Sequence, residues 1–307
     1  MSTKATSGRA ASGGPSRLKW ATLGALALLL VAVPMAVLFM PSGTTGEAKP
    51  LSAWKPSDYH SLAFDPTNAD VVFFGYHNGL LRSADGGATW QPVKQEPNWD
   101  AMSLAIPARS PGTLYAAGHG LLKRSTNGGQ SWQDVSQTLP GTDIHALAAS
   151  PEDTKRLFAF VVGHGLFRSG DSGTSWQRAA QGVPADTMAL AAPAGNASVL
   201  LVGSMQGGLL RSQDVGATWL RVAEGFSGRS VMALAAAPGQ AGLVYAATDV
   251  GLWRSDDAGQ TWALVNPAER PMVLAVHPTV PRRLISVDGA GRVRASGDGG
   301  ATWRTAG

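Results

Sequence analysis

One nine-residue box occurs six times: RSADGGATW (82–90), RSTNGGQSW (124–132), RSGDSGTSW (168–176), RSQDVGATW (211–219), RSDDAGQTW (254–262) and ASGDGGATW (295–303). The closing tryptophans, Trp90, Trp132, Trp176, Trp219, Trp262 and Trp303, stand 42, 44, 43, 43 and 41 residues apart. So regular a period means that one supersecondary unit is copied and stacked, because a unit of this size cannot bury its apolar face alone. Within the first unit the runs HSLAFDP, DVVFFGY, HNGLLRS and TWQPVKQ are short, apolar or alternating, and bounded by Pro, Gly, Asn or Asp. Such runs read as strands. Four strands per repeat of about 43 residues make a propeller blade. The spacing therefore predicts an all-β, six-bladed β-propeller of four-stranded blades over residues 55–307. Either TWRTAG completes the last blade, or LSAW (51–54) pairs there as an N-terminal strand.

The box itself reads as scaffold. It falls between the third and fourth strands, where glycines such as Gly87 and Gly129 can take the positive φ of a tight turn. Asp85, Asp171, Asp214, Asp257 and Asp298 can accept backbone N–H bonds within that turn. Asn127 replaces the aspartate in the second box. A turn acceptor tolerates that exchange; a catalytic acid does not.

Ser-x-Asp-x-Gly-x-Thr-Trp, with Asn127, Ser131 and Ser175 as its variations, resembles the Asp box of the BNR repeat superfamily. The resemblance covers residues 55–307 and implies a propeller. For function it is broad, because similar boxes occur in sialidases and other glycoside hydrolases, sortilin-type receptors, xyloglucanase-like propellers and the photosystem II stability and assembly factor. A sialidase would bring an arginine triad with an Arg-Ile-Pro element before the first box, and no Arg-Ile-Pro occurs. The regular arginines, Arg82, Arg124, Arg168, Arg211 and Arg254, each open a box and are spread around the ring. The resemblance thus favours a non-catalytic binding or assembly module, with a glycoside-hydrolase-like enzyme or a metal-binding propeller as the alternative.

Ahead of the repeats, Lys4, Arg9, Arg17 and Lys19 form a basic tail (1–19), followed by the uncharged run WATLGALALLLVAVPMAVLFM (20–40). An apolar run of about 20 residues matches a bilayer core. Flanking positive charge keeps the tail cytoplasmic, which places residues beyond 41 outside the cytoplasmic membrane. The expectation is a single-pass anchor, then a Pro/Gly/Ser/Thr-rich linker (41–54), then the propeller; secretion after signal cleavage is the alternative. The formal charge of +4 lies wholly in the tail, because the remaining 21 Lys and Arg match 21 Asp and Glu. A nucleic-acid partner has no support in so neutral a domain. Without cysteine there is no disulfide staple.

Function in a propeller gathers on the face opposite the boxes, where all blades converge on a central channel. Ahead of the first strand the repeats align as DYHSLA, DAMSLA, DIHALA, DTMALA, SVMALA and RPMVLA. The third place is always His or Met: His60, Met102, His145, Met188, Met232 and Met272. Two places earlier stand Asp58, Asp100, Asp143 and Asp186. The turns between second and third strands add His77, His119 and His164, then Asp249 and Asp288. These residues define a candidate binding face for a protein or glycan ligand. Imidazole with thioether, at His60, His145, Met102 and Met188, suits a transition metal. Two of the four aspartates could instead serve as acid and base on a glycan. Spacing alone does not choose among metal, catalysis and duplicated packing residues.

Overall fold

The computed structural model describes residues 47–180 and 182–306; the tail and the apolar segment read as an anchor lie outside the described residues. No helix among the described residues is long and apolar enough to cross a membrane. The chain forms six separate four-stranded antiparallel sheets, each built from four consecutive strands. Blade one comprises β1 (Ser61–Asp65), β2 (Asn68–Tyr76), β3 (Gly79–Ser83) and β4 (Gln91–Gln95). Every later repeat copies that order. The first strands of successive blades adjoin around the channel, and β1 meets the first strand of blade six, Val273–Val276, to close the ring.

Burial explains why the second strands read as unbroken apolar runs. Leu114–Gly118, Leu157–Val161, Leu200–Ser204 and Val244–Thr248 are buried at every position. A blade is covered on both faces by its neighbours, so neither side of its second strand can be polar. Each of the six interfaces holds its own apolar core. The fourth strands end at the rim and are short; Leu220–Arg221 and Arg304–Thr305 are exposed two-residue edges, too small to template pairing with another chain.

The boxes tie each blade to the one before it. In all six, the serine hydroxyl donates to the Asp or Asn side chain and accepts the N–H of the glycine four residues on. Gly87 shows why glycine is required: its φ is +100°, and an added Cβ would collide with Ile285 of the preceding blade. Asn127 keeps the arrangement by accepting Ser131 N–H at 2.9 Å and donating to the Ser131 hydroxyl at 2.9 Å. Hydroxyl bonds from Ser175, Thr218 and Thr302 hold the carboxyls of Asp171, Asp214 and Asp298 at a pKa of about 2, below the ordinary 3.8. A carboxyl depressed in the folded state stabilises above its unfolded pKa, and that contribution disappears as pH falls toward the folded value. The urea midpoint should accordingly hold steady from pH 7 to 5 and fall between about pH 4 and 2. Triple substitution to asparagine, the residue blade two already uses, should flatten the fall.

Blade six is completed by its own C-terminal strand, so LSAW does not pair there. Leu51–Trp54 is instead a single helical turn, with Leu51 buried in the core between blades one and six. Lys49 pairs with Trp90 through two backbone bonds, and the Trp54 indole donates to the Trp90 carbonyl at 3.0 Å. The end of the expected linker is therefore packed structure at the seam of the ring. Pairing with blade one was open to it because blade six needs no fourth strand from elsewhere.

Candidate functional site

Antiparallel order places the turns between second and third strands, and the approaches to the first strands, at the end opposite the boxes. There the six blades stop being equivalent. In blades one to three, aspartate and histidine form a continuous arc. His60 Nε2 lies 3.8 Å from Asp58 Oδ2 and 3.5 Å from Asp100 Oδ1. His77 Nδ1 lies 3.9 Å from Asp58 Oδ2 and 3.6 Å from Asp100 Oδ2. His119 Nδ1 donates to Asp100 Oδ2 at 2.6 Å, while its Nε2 is 3.7 Å from Asp143 Oδ1, which is 3.2 Å from His145 Nε2. The side chain of Asp100 is 1% exposed and sits beneath His77 and His119.

Three local features build the arc. Gly118, immediately before His119, lies against the Asp100 backbone, where any Cβ would meet the Asp100 carbonyl. Gly75, two residues before His77, lies equally close to the Ala101 carbonyl. Ser61 donates to that same carbonyl at 2.7 Å, and Ser103 accepts Leu147 N–H at 2.9 Å, which staples blade one to two and blade two to three. The same place holds Ala146, Ala189, Ala233 and Val273 in the other blades.

Burial works against the charged form of two of the imidazoles. Burial lowers the pKa of His60 against the opposing pull of Asp100 and Asp58, and lowers that of His145 against Asp143. Four buried atoms of the arc lack a hydrogen bond of good geometry: His60 Nε2, Asp100 Oδ1, and the facing pair Asp143 Oδ1 and His145 Nε2 at 3.2 Å. Buried polar atoms are ordinarily satisfied, and of these His60 Nε2 and Asp100 Oδ1, 3.5 Å apart, stand farther from a partner than the Asp143–His145 pair.

Several sequence-picked residues stay outside the arc. Asp186 accepts the Ser204 hydroxyl at 2.7 Å and Gln206 N–H at 2.6 Å within its own blade. Asp249 caps Arg229 and Ser230, and Asp288 caps its own turn and pairs with Arg292 at 2.8 Å. His164 approaches Gly141 instead. The reason is register: His77 and His119 stand six residues before Ser83 and Ser125, whereas His164 stands five before Ser169. Its turn is one residue longer, with Val161 opposite Gly165, and the imidazole falls on the far side. Met102, Met188 and Met232 line the channel with His60 around a cavity of about 90 Å³. His60 and His145 also meet carboxylates and the loop histidines. The sixth histidine, His277, is buried on the box side, where its Nδ1 accepts Val280 N–H at 3.0 Å.

Of the four aspartates weighed as acid and base, Asp100 is buried and Asp186 is held by Ser204 and Gln206, whereas Asp58 and Asp143 are close to half exposed. The box arginines do not converge: Arg211 donates to the Ala258 carbonyl and Arg254 pairs with Asp256.

No family model matches the chain, and no curated protein matches its sequence. Solved structures share the fold. A GH74 enzyme of Niastella koreensis superposes with a TM-score of 0.56 at 20% identity, over 78% of this chain and 37% of that one. The GH74 xyloglucanase of Xanthomonas campestris gives 0.56 at 18%, over 82% and 46%. YCF48 bound to D1 peptide gives 0.55 at 21%, over 86% of this chain and 85% of that chain. The chain thus spans less than half the length of these GH74 chains and most of that YCF48 chain. At such identities the likeness concerns the propeller alone.

Proposed function

We propose that this chain, a six-bladed β-propeller similar in fold to GH74 enzymes and YCF48, is a non-catalytic binding and assembly module. It takes a polypeptide segment of a partner protein on the face opposite its boxes, over blades one to three. One observation carries the reading: a chain copied six times departs from its own repeat in a single arc, and the departures converge in space. Duplication explains equivalence between blades but not Asp100 held beneath two histidines from different blades. His77, Asp58, His119 and Asp143 are each close to half exposed, so the arc presents donors and acceptors to a ligand while Asp100 fixes it from below. A YCF48 structure of similar length is solved with a peptide, which supports a polypeptide ligand. We further propose that residues 20–40 anchor the propeller to the cytoplasmic membrane, with the propeller outside the cytoplasm. There a tethered module meets membrane-bound or translocated partners. Protease added to spheroplasts should then remove the propeller.

Docking is tested by placing a photo-crosslinking residue at Asn78, on the arc, or at Gln260, on the box face, in the full chain in cells. The expected result is a discrete adduct from position 78 that is absent from position 260 and is lost with Asp58→Asn plus Asp143→Asn. The same adduct from both faces, or from the box face alone, would sink the reading.

A further inference from the structure

Part of the arc is arranged as a coordination shell. Asp58, His60 and His77 each offer one ligand atom, and these atoms lie within 4.8 Å of one another, with Asp58 Oδ2 3.8 Å from His60 Nε2 and 3.9 Å from His77 Nδ1. The Asp100 carboxylate, which itself clusters with His77 and His119, borders this trio through both oxygens, Oδ1 3.5 Å from His60 Nε2 and Oδ2 3.6 Å from His77 Nδ1. The four imidazole-to-carboxylate edges are thus 3.5, 3.6, 3.8 and 3.9 Å. Tetrahedral zinc holding nitrogen and oxygen at about 2.0–2.1 Å spaces its ligands roughly 3.3–3.4 Å apart. The observed edges are slightly too long for hydrogen bonds between the groups and slightly wider than a filled zinc shell. Modest inward rotation of the side chains would close them on an ion.

We propose that Asp58, His60, His77 and Asp100 form a binding site for one divalent transition-metal ion of the zinc class. The two carboxylates and two imidazoles match the ligand types such an ion takes, and the pair of negative charges balances its charge. Asp100 is the pivotal donor. Its side chain is buried and its Oδ1 has no hydrogen-bond partner, an arrangement that is costly for a buried polar atom. His60 Nε2 is orphaned beside it. Asp100 Oδ2 meanwhile orients His119, so an ion on this carboxylate would also set the position of the neighbouring imidazole.

The ion does not depend on the docking reading, because its readout is metal alone. The full chain, purified without a polyhistidine tag, is titrated with Co²⁺ and then Zn²⁺. One equivalent of Co²⁺ should give the strong visible bands of tetrahedral coordination, and one equivalent of Zn²⁺ should abolish them. His60→Met installs the residue four other blades carry at this place and should keep the fold while lowering affinity at least tenfold. Asp100→Asn should lower it as much, and His164→Ala should leave it unchanged. If Asp100→Asn fails to fold, His60→Met still decides the matter. Absence of the bands at one equivalent, affinity indifferent to His60→Met, or an equal loss with His164→Ala would overturn the site. A metal-free arc that still yields the crosslinked adduct would overturn this proposal and leave the docking face standing.

Discussion

Replacing Trp90 by alanine is expected to destabilise the protein by about 3–5 kcal/mol, the range for emptying a large aromatic site in a core. Trp90 is fully buried at the interface of blades one and six, where it meets Phe74 edge-on at 5.9 Å. Its indole donates to the Gly87 carbonyl at 3.0 Å, and its own backbone receives Lys49 and Trp54. This interface differs from the other five because its two blades are the ends of the repeat array. No short loop joins them and no strand is exchanged between them, so side-chain packing and the Lys49–Trp54 segment alone close the ring. Against a typical total stability of about 5–15 kcal/mol, the loss removes a large share. Trp219, only partly buried between blades three and four, should cost clearly less. Denaturant midpoints of the two variants provide the check; equal midpoints would contradict the seam's special dependence on packing.

The second large effect is expected at Gly118. A Cβ there has nowhere to go, because the obstacle is the Asp100 carbonyl, which is backbone and cannot rotate away. Gly118→Ala should cost about 1–3 kcal/mol, the usual range for overpacking. It should also push the approach to blade two outward and separate Asp100 from His119. The specific readout is the His119 imidazole in NMR: loss of the 2.6 Å bond to Asp100 should shift its ring resonances and raise the exchange rate of its Nδ1 proton. A similar substitution at Gly170, which has open space around it, should change neither stability nor that signal.

The blades were legible from sequence because turn chemistry and burial repeat with the period. A box serine, an aspartate or asparagine and a positive-φ glycine must recur wherever a third strand turns into a fourth. The second strands must be apolar throughout because both faces are covered. The arc was legible only as a set of residues. Asp58, His60, His77, Asp100, His119, Asp143 and His145 could be named from alignment of the repeats, but their grouping across blades depends on close approaches at Gly75 and Gly118. Counting back from the box serine already separates His164 from His77 and His119, so that signal was present in the spacing. Ser61 and Ser103, standing where the other blades carry Ala or Val, were a second signal for the same three blades. Asp186 was not separable by spacing, since it occupies the same place as Asp100; its neighbour Ser204 claims it only once the second strand is folded beside it.

The most direct measurement is the crosslinked-adduct yield at position 78 in a His60→Met, His145→Met chain, compared with the parent at matched folded fraction. Met already occupies this place in four blades, so the substitutions restore the repeat without asking the fold for anything new. If function resides in the departures from the repeat, the variant keeps its unfolding midpoint and loses the adduct. An adduct retained at full yield in a normally folded variant would contradict the account.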